Sequence, residues 1–211
     1  MSTDAARTVS RPPELSAPGS AGADTRRNIL TAAIEILHAS GAGALTVRSV
    51  ATAAGCSTTG VYTWFGGKNG LVEAIFIDGF RRFGDTLVAA RAAARAGQEL
   101  LALAETYRQW AIANPTHYMV MFGRAVPDFE PSAEALAIAR GTFATLVDAA
   151  SITVRERELV GEPDDVAHHL WAGMHGYVSL ELAGMDMAHG AEERTARFHQ
   201  GVRRLLRGLR A

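Results

Sequence analysis

At 211 residues and 48% hydrophobic content, the chain is long enough for one or two domains with a real core. The single cysteine, Cys56, excludes an internal disulfide, and a net charge of −1 excludes nucleic-acid binding driven by bulk charge alone. No apolar run of bilayer-spanning length is read, and the N-terminus lacks an apolar signal core, so a cytoplasmic location is expected.

Residues 1–23 are rich in Ala, Ser, Pro, Gly and Thr, and predict a disordered arm in which Arg7 and Arg11 are solvated. A first helix is predicted from about Asp24 to Ser40, with Ile29, Ala33, Ile36 and Leu37 inward and Gly41 as its stop. The stretch Leu45–Leu71 then reads as two short helices joined by a tight turn. Thr46 caps the first, whose Val47, Val50, Ala51 and Ala54 form an apolar stripe. Gly55 supplies the left-handed stop, Ser57 caps the second helix, and Val61 and Phe65 anchor it. This is the layout of a helix-turn-helix, whose second helix enters the major groove.

The outward residues suit that use. Thr58, Thr59, Tyr62 and Trp64 present hydroxyls, a phenol and an indole N–H, while Lys68 places an ammonium at the next helix start. Tyr62 and Lys68 are expected on phosphates. Arg48, on the first turn of the preceding helix, has the fork for guanine, and Thr58 and Thr59 come nearest to base edges. With Thr46 and Ser57 they complete the candidate DNA-binding set. Positive charge is placed to match, since residues 24–71 carry a local +2 and residues 72–211 carry −3. Cys56 stands where the motif wants a small buried residue, so it is read as core filler.

A fourth helix from about Gly70 carries Leu71, Ile75, Phe76, Phe80, Phe83 and Leu87, beginning in the helix-turn-helix domain and ending outside it. Everything after Gly97 reads as helix. Helices are predicted over about 98–113, through 117–122, and over about 132–159, 164–185 and 191–209, with breaks at Asn114-Pro115 and Gly161-Glu162-Pro163. The fold expected is all-α, with a DNA-binding domain over 24–70 and a helical bundle over 71–211. Phe198, Val202 and Leu205 line one face of the last helix, and Val178 and Leu182 sit on the helix before it, which suggests a dimer interface.

The aromatic and sulfur-rich residues of the second half are first a core, part of which is expected to line a cavity. Tyr107, Trp110, Met119, Phe122, Phe143, Trp171, Met174 and His175 are the candidates. Of His168, His169 and His175, the pair His168 and His175 lies nearly two turns apart and no acidic or thiol ligand is placed with them, so no metal is expected, nor any other cofactor. No nucleophile–base set, phosphate loop or carboxylate pair is placed for catalysis.

Residues 25–75 resemble the DNA-binding domain of the TetR/AcrR family of transcriptional regulators. The resemblance rests on Gly41, Thr46, Val47, Val50, Ala51, Ala54, Gly55, Cys56, Ser57, Val61, Tyr62, Trp64, Phe65, Lys68 and Leu71. Gly66-Gly67 and Asn69-Gly70 depart from the family pattern and predict a looser start to the fourth helix. Leu170–Leu182 resembles the Trp-His-Gly type of C-terminal domain found in one branch. The resemblance implies a homodimer through the last two helices, a palindromic operator on double-stranded DNA, and repression relieved by a small hydrophobic effector in the C-terminal cavity. Effector binding would change the tilt of the fourth helix, and with it the spacing of the two recognition helices.

Overall fold

The computed structural model describes residues 18–156 and 158–210, and every regular element among them is helical. Helix α1 spans Pro18–Ala44, starting six residues before the expected Asp24. Of the expected arm, residues 1–17 lie outside the described residues. Gly41, at φ 71°, breaks the regular helix where the stop was expected, and Ile29, Ala33 and Leu37 are buried.

Local capping fixes the next two helices, α2 (Val47–Ala53) and α3 (Thr58–Phe65). Thr46 and Ser49 form a reciprocal box: the Ser49 N–H donates to Thr46 Oγ1 at 3.0 Å, and the Thr46 N–H donates to Ser49 Oγ at 3.0 Å. Gly55 takes φ 65°, and the Gly60 N–H then donates to Ser57 Oγ at 3.1 Å. Val50, Ala51, Val61 and Phe65 close over α1 as a small apolar core.

Gly66 (φ 70°) and Gly67 (φ 126°) lead into α4 (Lys68–Ala93). A looser start is expected there; Gly67 gives α4 no side-chain cap, but the α3 end lies close by. A Cβ added at Gly70 would lie 1.7 Å from the Phe65 carbonyl oxygen, so the end of α3 rests directly on the α4 backbone. Gly70 is therefore the departure that admits this close approach. All six predicted stripe residues of α4, Leu71 to Leu87, are buried.

The bundle comprises α4 with α5 (Glu99–Ala113), α6 (Pro115–Phe122), α7 (Ala133–Arg155), α8 (Pro163–Leu182) and α9 (Ala191–Gly208). Helix α4 packs against α5, α6 and α7 and also reaches α1 and α3. Two of its glycines are contact points. A Cβ at Gly79 would fall 2.6 Å from Met121 Sδ on α6, and one at Gly84 would fall 3.2 Å from Thr142 Oγ1 on α7. Helix α7 corrects the sequence reading of hydropathy, because its 23 residues are long and apolar enough to cross a membrane by length and composition. Here it packs on α4, α5 and α8, and its Thr142 and Thr145 are buried.

Helices α8 and α9 cross closely through Gly173 and Gly201. A Cβ at Gly173 would meet the Leu205 side chain, and one at Gly201 would meet the Tyr177 ring. Three residues expected at a dimer interface are thereby corrected. Val178, Phe198 and Val202 are 0, 1 and 2% exposed within a single chain, because the apolar stripe of α9 faces α5 and α8. Leu182 and Leu205 remain partly exposed. Polar ties reinforce the same region. Arg108 on α5 grips Glu181 on α8 through two bonds of 2.8 and 2.9 Å, Arg194 on α9 approaches Glu181 at 3.4 Å, and His199 pairs with Glu105.

Candidate DNA interface and ligand cavity

The eight residues assigned to DNA separate into two groups. Arg48, Thr58, Thr59 and Tyr62 are exposed, and none has a side-chain hydrogen bond or ion pair among the described residues. The other four already serve the fold. Thr46 and Ser57 cap helices. Lys68 donates from Nζ to the Ala42 carbonyl at 3.1 Å, tying the start of α4 to the end of α1, with two ammonium hydrogens left over. Trp64 lies against the α1 backbone, its ring 3.5 Å from where a Gly22 Cβ would stand. Thr63, also outward on α3, turns its hydroxyl back to the Thr59 carbonyl at 2.9 Å. Arg26 stacks over Phe65 with its guanidinium carbon 5.2 Å from the ring centre.

The second feature is a cavity of about 720 Å³ inside the bundle. Tyr107, Phe122, Phe143, Trp171 and Met174 line it as expected. Three expected residues do not. Trp110 packs away from it on Phe83 and His117. Met119, 45% exposed, sits on the outer side of α6. His175 stands one layer behind the wall, bonded to two tyrosines.

Sequence reasoning missed the contribution of α4, whose Phe76, Phe80, Phe83 and Leu87 form one wall. The signal was present, since this stripe is longer than a three-helix domain needs. Also missed were Arg124 and Glu130 on the loop between α6 and α7, and Arg140 on α7.

At the Tyr107 end a neutral polar cluster backs the apolar wall. The Tyr118 hydroxyl lies 2.7 Å from His175 Nδ1 and 3.0 Å from the Tyr107 hydroxyl, and Ser179 Oγ lies 3.3 Å from His175 Nε2. Burial, reinforced by the Tyr118 neighbour, pushes the Tyr107 phenol far above its ordinary range, and burial likewise raises Tyr118. Burial holds the His175 imidazole below its ordinary value, so the ring stays neutral at neutral pH. His168, exposed, lies edge-on to Trp171, and His169 bonds the Asp165 carbonyl through Nδ1 at 2.7 Å. The three histidines therefore diverge, and among the described residues no group of three or more His, Cys, Asp or Glu could hold a metal.

Polar contacts connect cavity and DNA-binding domain. On α6, Thr116 Oγ1 lies 3.1 Å from His38 Nδ1 of α1, and His117 Nε2 lies 3.1 Å from Asp78 Oδ2 of α4. The His117 bond holds the Asp78 carboxyl below the usual carboxylate range. The Ser132 N–H donates to Glu73 Oε1 at 3.1 Å, and Phe129 packs on Phe76, so the cavity loop is pinned to α4 just beyond the helix-turn-helix.

Comparison with known proteins matches both halves. Residues 29–75 match the family described as bacterial regulatory proteins, tetR family, and residues 100–205 match the tetracyclin repressor-like C-terminal domain. The HTH-type transcriptional regulator Rv1816 of Mycobacterium tuberculosis is 26% identical over 174 residues, spanning 68% of this chain and 74% of that protein. SCO4313, a solved structure assigned as a regulatory protein, has a TM-score of 0.77 at 27% identity and covers 90% of this chain and 99% of its own. A bacterial regulatory protein in the tetR family from Rhodococcus RHA1 shares the fold, with a TM-score of 0.66 at 21% identity over 89% and 97% of the two chains.

Proposed function

Because the chain belongs to the TetR family of DNA-binding transcriptional regulators, and so is not an enzyme, we propose that it is a cytoplasmic, ligand-responsive repressor. It binds a palindromic operator as a homodimer and is released by a small hydrophobic effector held in the 720 Å³ cavity. The observation that carries this reading is the double duty of α4. The same helix begins against α3 and, through Phe76, Phe80, Phe83 and Leu87, forms a wall of the cavity. A ligand touching that wall binds one tilt of α4 better than another, and thereby biases the position of α3. Recognition helices that no longer sit about 34–36 Å apart cannot enter successive major grooves together.

On the DNA, Arg48, Thr58 and Thr59 read base edges, Tyr62 and Lys68 hold phosphates, and Trp64 buttresses α3 from the α1 side. The second copy docks on the outer face of α8 and α9, where Leu182 and Leu205 are partly exposed and Leu180 is half exposed. Leu180→Glu tests this more cleanly than a change at Leu205, whose side chain also fills the Gly173 notch. Binding-site selection from random duplexes tests the whole reading. The expected result is a palindromic consensus whose preference relaxes at one symmetric pair of positions with Arg48→Ala, together with a sedimenting dimer. An asymmetric half-site bound by a monomer would overturn the dimer and the palindrome.

A further inference from the structure

The polar groups of the cavity wall are unevenly distributed. Inside, the Tyr107 hydroxyl is engaged with Tyr118 and His175, and the Thr142 hydroxyl faces the Phe80 and Ile138 carbonyls at 3.3 Å each. The remaining inner wall is hydrocarbon and aromatic ring. The charged groups are Arg124, Glu130 and Arg140, all exposed and therefore at the opening; the exposed His168 also lines the cavity. Neither Arg124 nor Arg140 has a side-chain hydrogen bond or ion pair among the described residues, and of the bundle's arginines without such a partner these two line the cavity. Two guanidiniums without a partner among the described residues, and one carboxylate, thus line the rim of an apolar chamber.

From this we infer that the cavity takes a hydrophobic organic anion, with its apolar body inside and its acidic head at Arg124 and Arg140. The inference rests on the effector reading above and adds the charge and polarity of the ligand. The physical reason is differential. The inner wall offers a ligand little polar compensation, so an internal polar group loses its water without full return. The rim offers two forked donors whose attraction is weakened by solvent but not cancelled, because the apolar walls keep part of the field out of water. A cationic head meets the same two arginines as repulsion. The chamber lies in the size range of ordinary small-molecule sites, large enough for an acyl chain or a fused aromatic acid.

The test is isothermal titration of the full chain with decanoate, decanol and decylammonium, and with 2-naphthoate to tell a ring from a chain. Decanoate or 2-naphthoate should bind roughly tenfold tighter than decanol, the gain of two solvent-screened ion pairs, and decylammonium should bind weakest. The advantage of the acid should shrink as salt is raised. Arg124→Asn together with Arg140→Gln should bring the acid down to the affinity of decanol and leave decanol itself unchanged. Equal binding of the acid and the alcohol to the wild-type chain overturns the inference without reference to any variant. So does an acid preference that survives loss of both arginines. If no member of the series binds, the effector reading itself falls and takes this inference with it.

Discussion

The DNA-binding domain and the C-terminal bundle are both helical, yet they are held together by different means. Residues 44–70 are fixed by contacts between near neighbours in sequence: the Thr46–Ser49 box, the Ser57 cap, three positive-φ glycines and the Phe65–Gly70 approach. The bundle is closed by partners far apart in the chain, such as Arg108 with Glu181, His199 with Glu105, and Tyr107 and Tyr118 with His175. A domain that must present one rigid helix to a groove gains from local fixation. A domain that must enclose a ligand needs walls from distant segments, and the cavity between them is what those walls leave unfilled.

Breaking one tie in each region should expose the difference. The largest effect is expected from Arg108→Ala, which strands the mostly buried Glu181 with only the longer Arg194 contact. The cost should be about 3 kcal/mol. Hydrogen exchange should quicken in α5, α8 and α9 while α2 and α3 keep their protection, and equal loosening of both regions would refute the division. Gly70→Ala should act in the opposite place. Forcing a Cβ onto the Phe65 carbonyl should cost about 2 kcal/mol by denaturant unfolding, and operator binding should be lost before decanoate binding.

Thr46→Ala removes one reciprocal cap and should cost about 1 kcal/mol, again confined to the DNA-binding domain. A larger loss, or one spread into the bundle, would show that the capping box supports more than α2. The smallest effect concerns pH. His175 has a folded pKa below its unfolded value, so its neutral form contributes stability that is complete above about pH 6.5, the unfolded value. That contribution is lost as pH falls below it. The melting temperature should therefore decline from pH 7 to pH 5, and His175→Asn should flatten the decline. An unchanged slope would remove His175 from the account.

What could be read from the sequence follows the same division. Local signals name their own partners, so Thr46, Gly55, Ser57 and Gly41 gave the caps and stops correctly. The reading failed where a residue's neighbour lies far along the chain. Phe198 and Val202 showed an apolar face, but an apolar stripe does not say whether its own chain or a second copy covers it. The clue was Gly201 beside them, whose missing side chain admits the Tyr177 ring from α8. Leu136, at core spacing in α7, is 40% exposed because the cavity opens beside it. Gly66-Gly67 and Asn69-Gly70 read as looseness by their departure from the family pattern, whereas at Gly70 the approach of the α3 end leaves no room for a side chain.

The notches at Gly79 and Gly84 bear on how strain can travel. Met121 and Thr142 both border the cavity, and each presses on α4 at a point with no side chain between it and the main chain. A displaced side chain can relax by changing rotamer, and a push delivered to one is dissipated within a few ångströms. A peptide backbone inside a helix has no such freedom, because its dihedrals are locked by the hydrogen bonds on either side. Movement of Met121 or Thr142 against these two glycines therefore bears on the α4 main chain itself. In the proposed mechanism this push would travel along α4 to Lys68, where the helix meets α3.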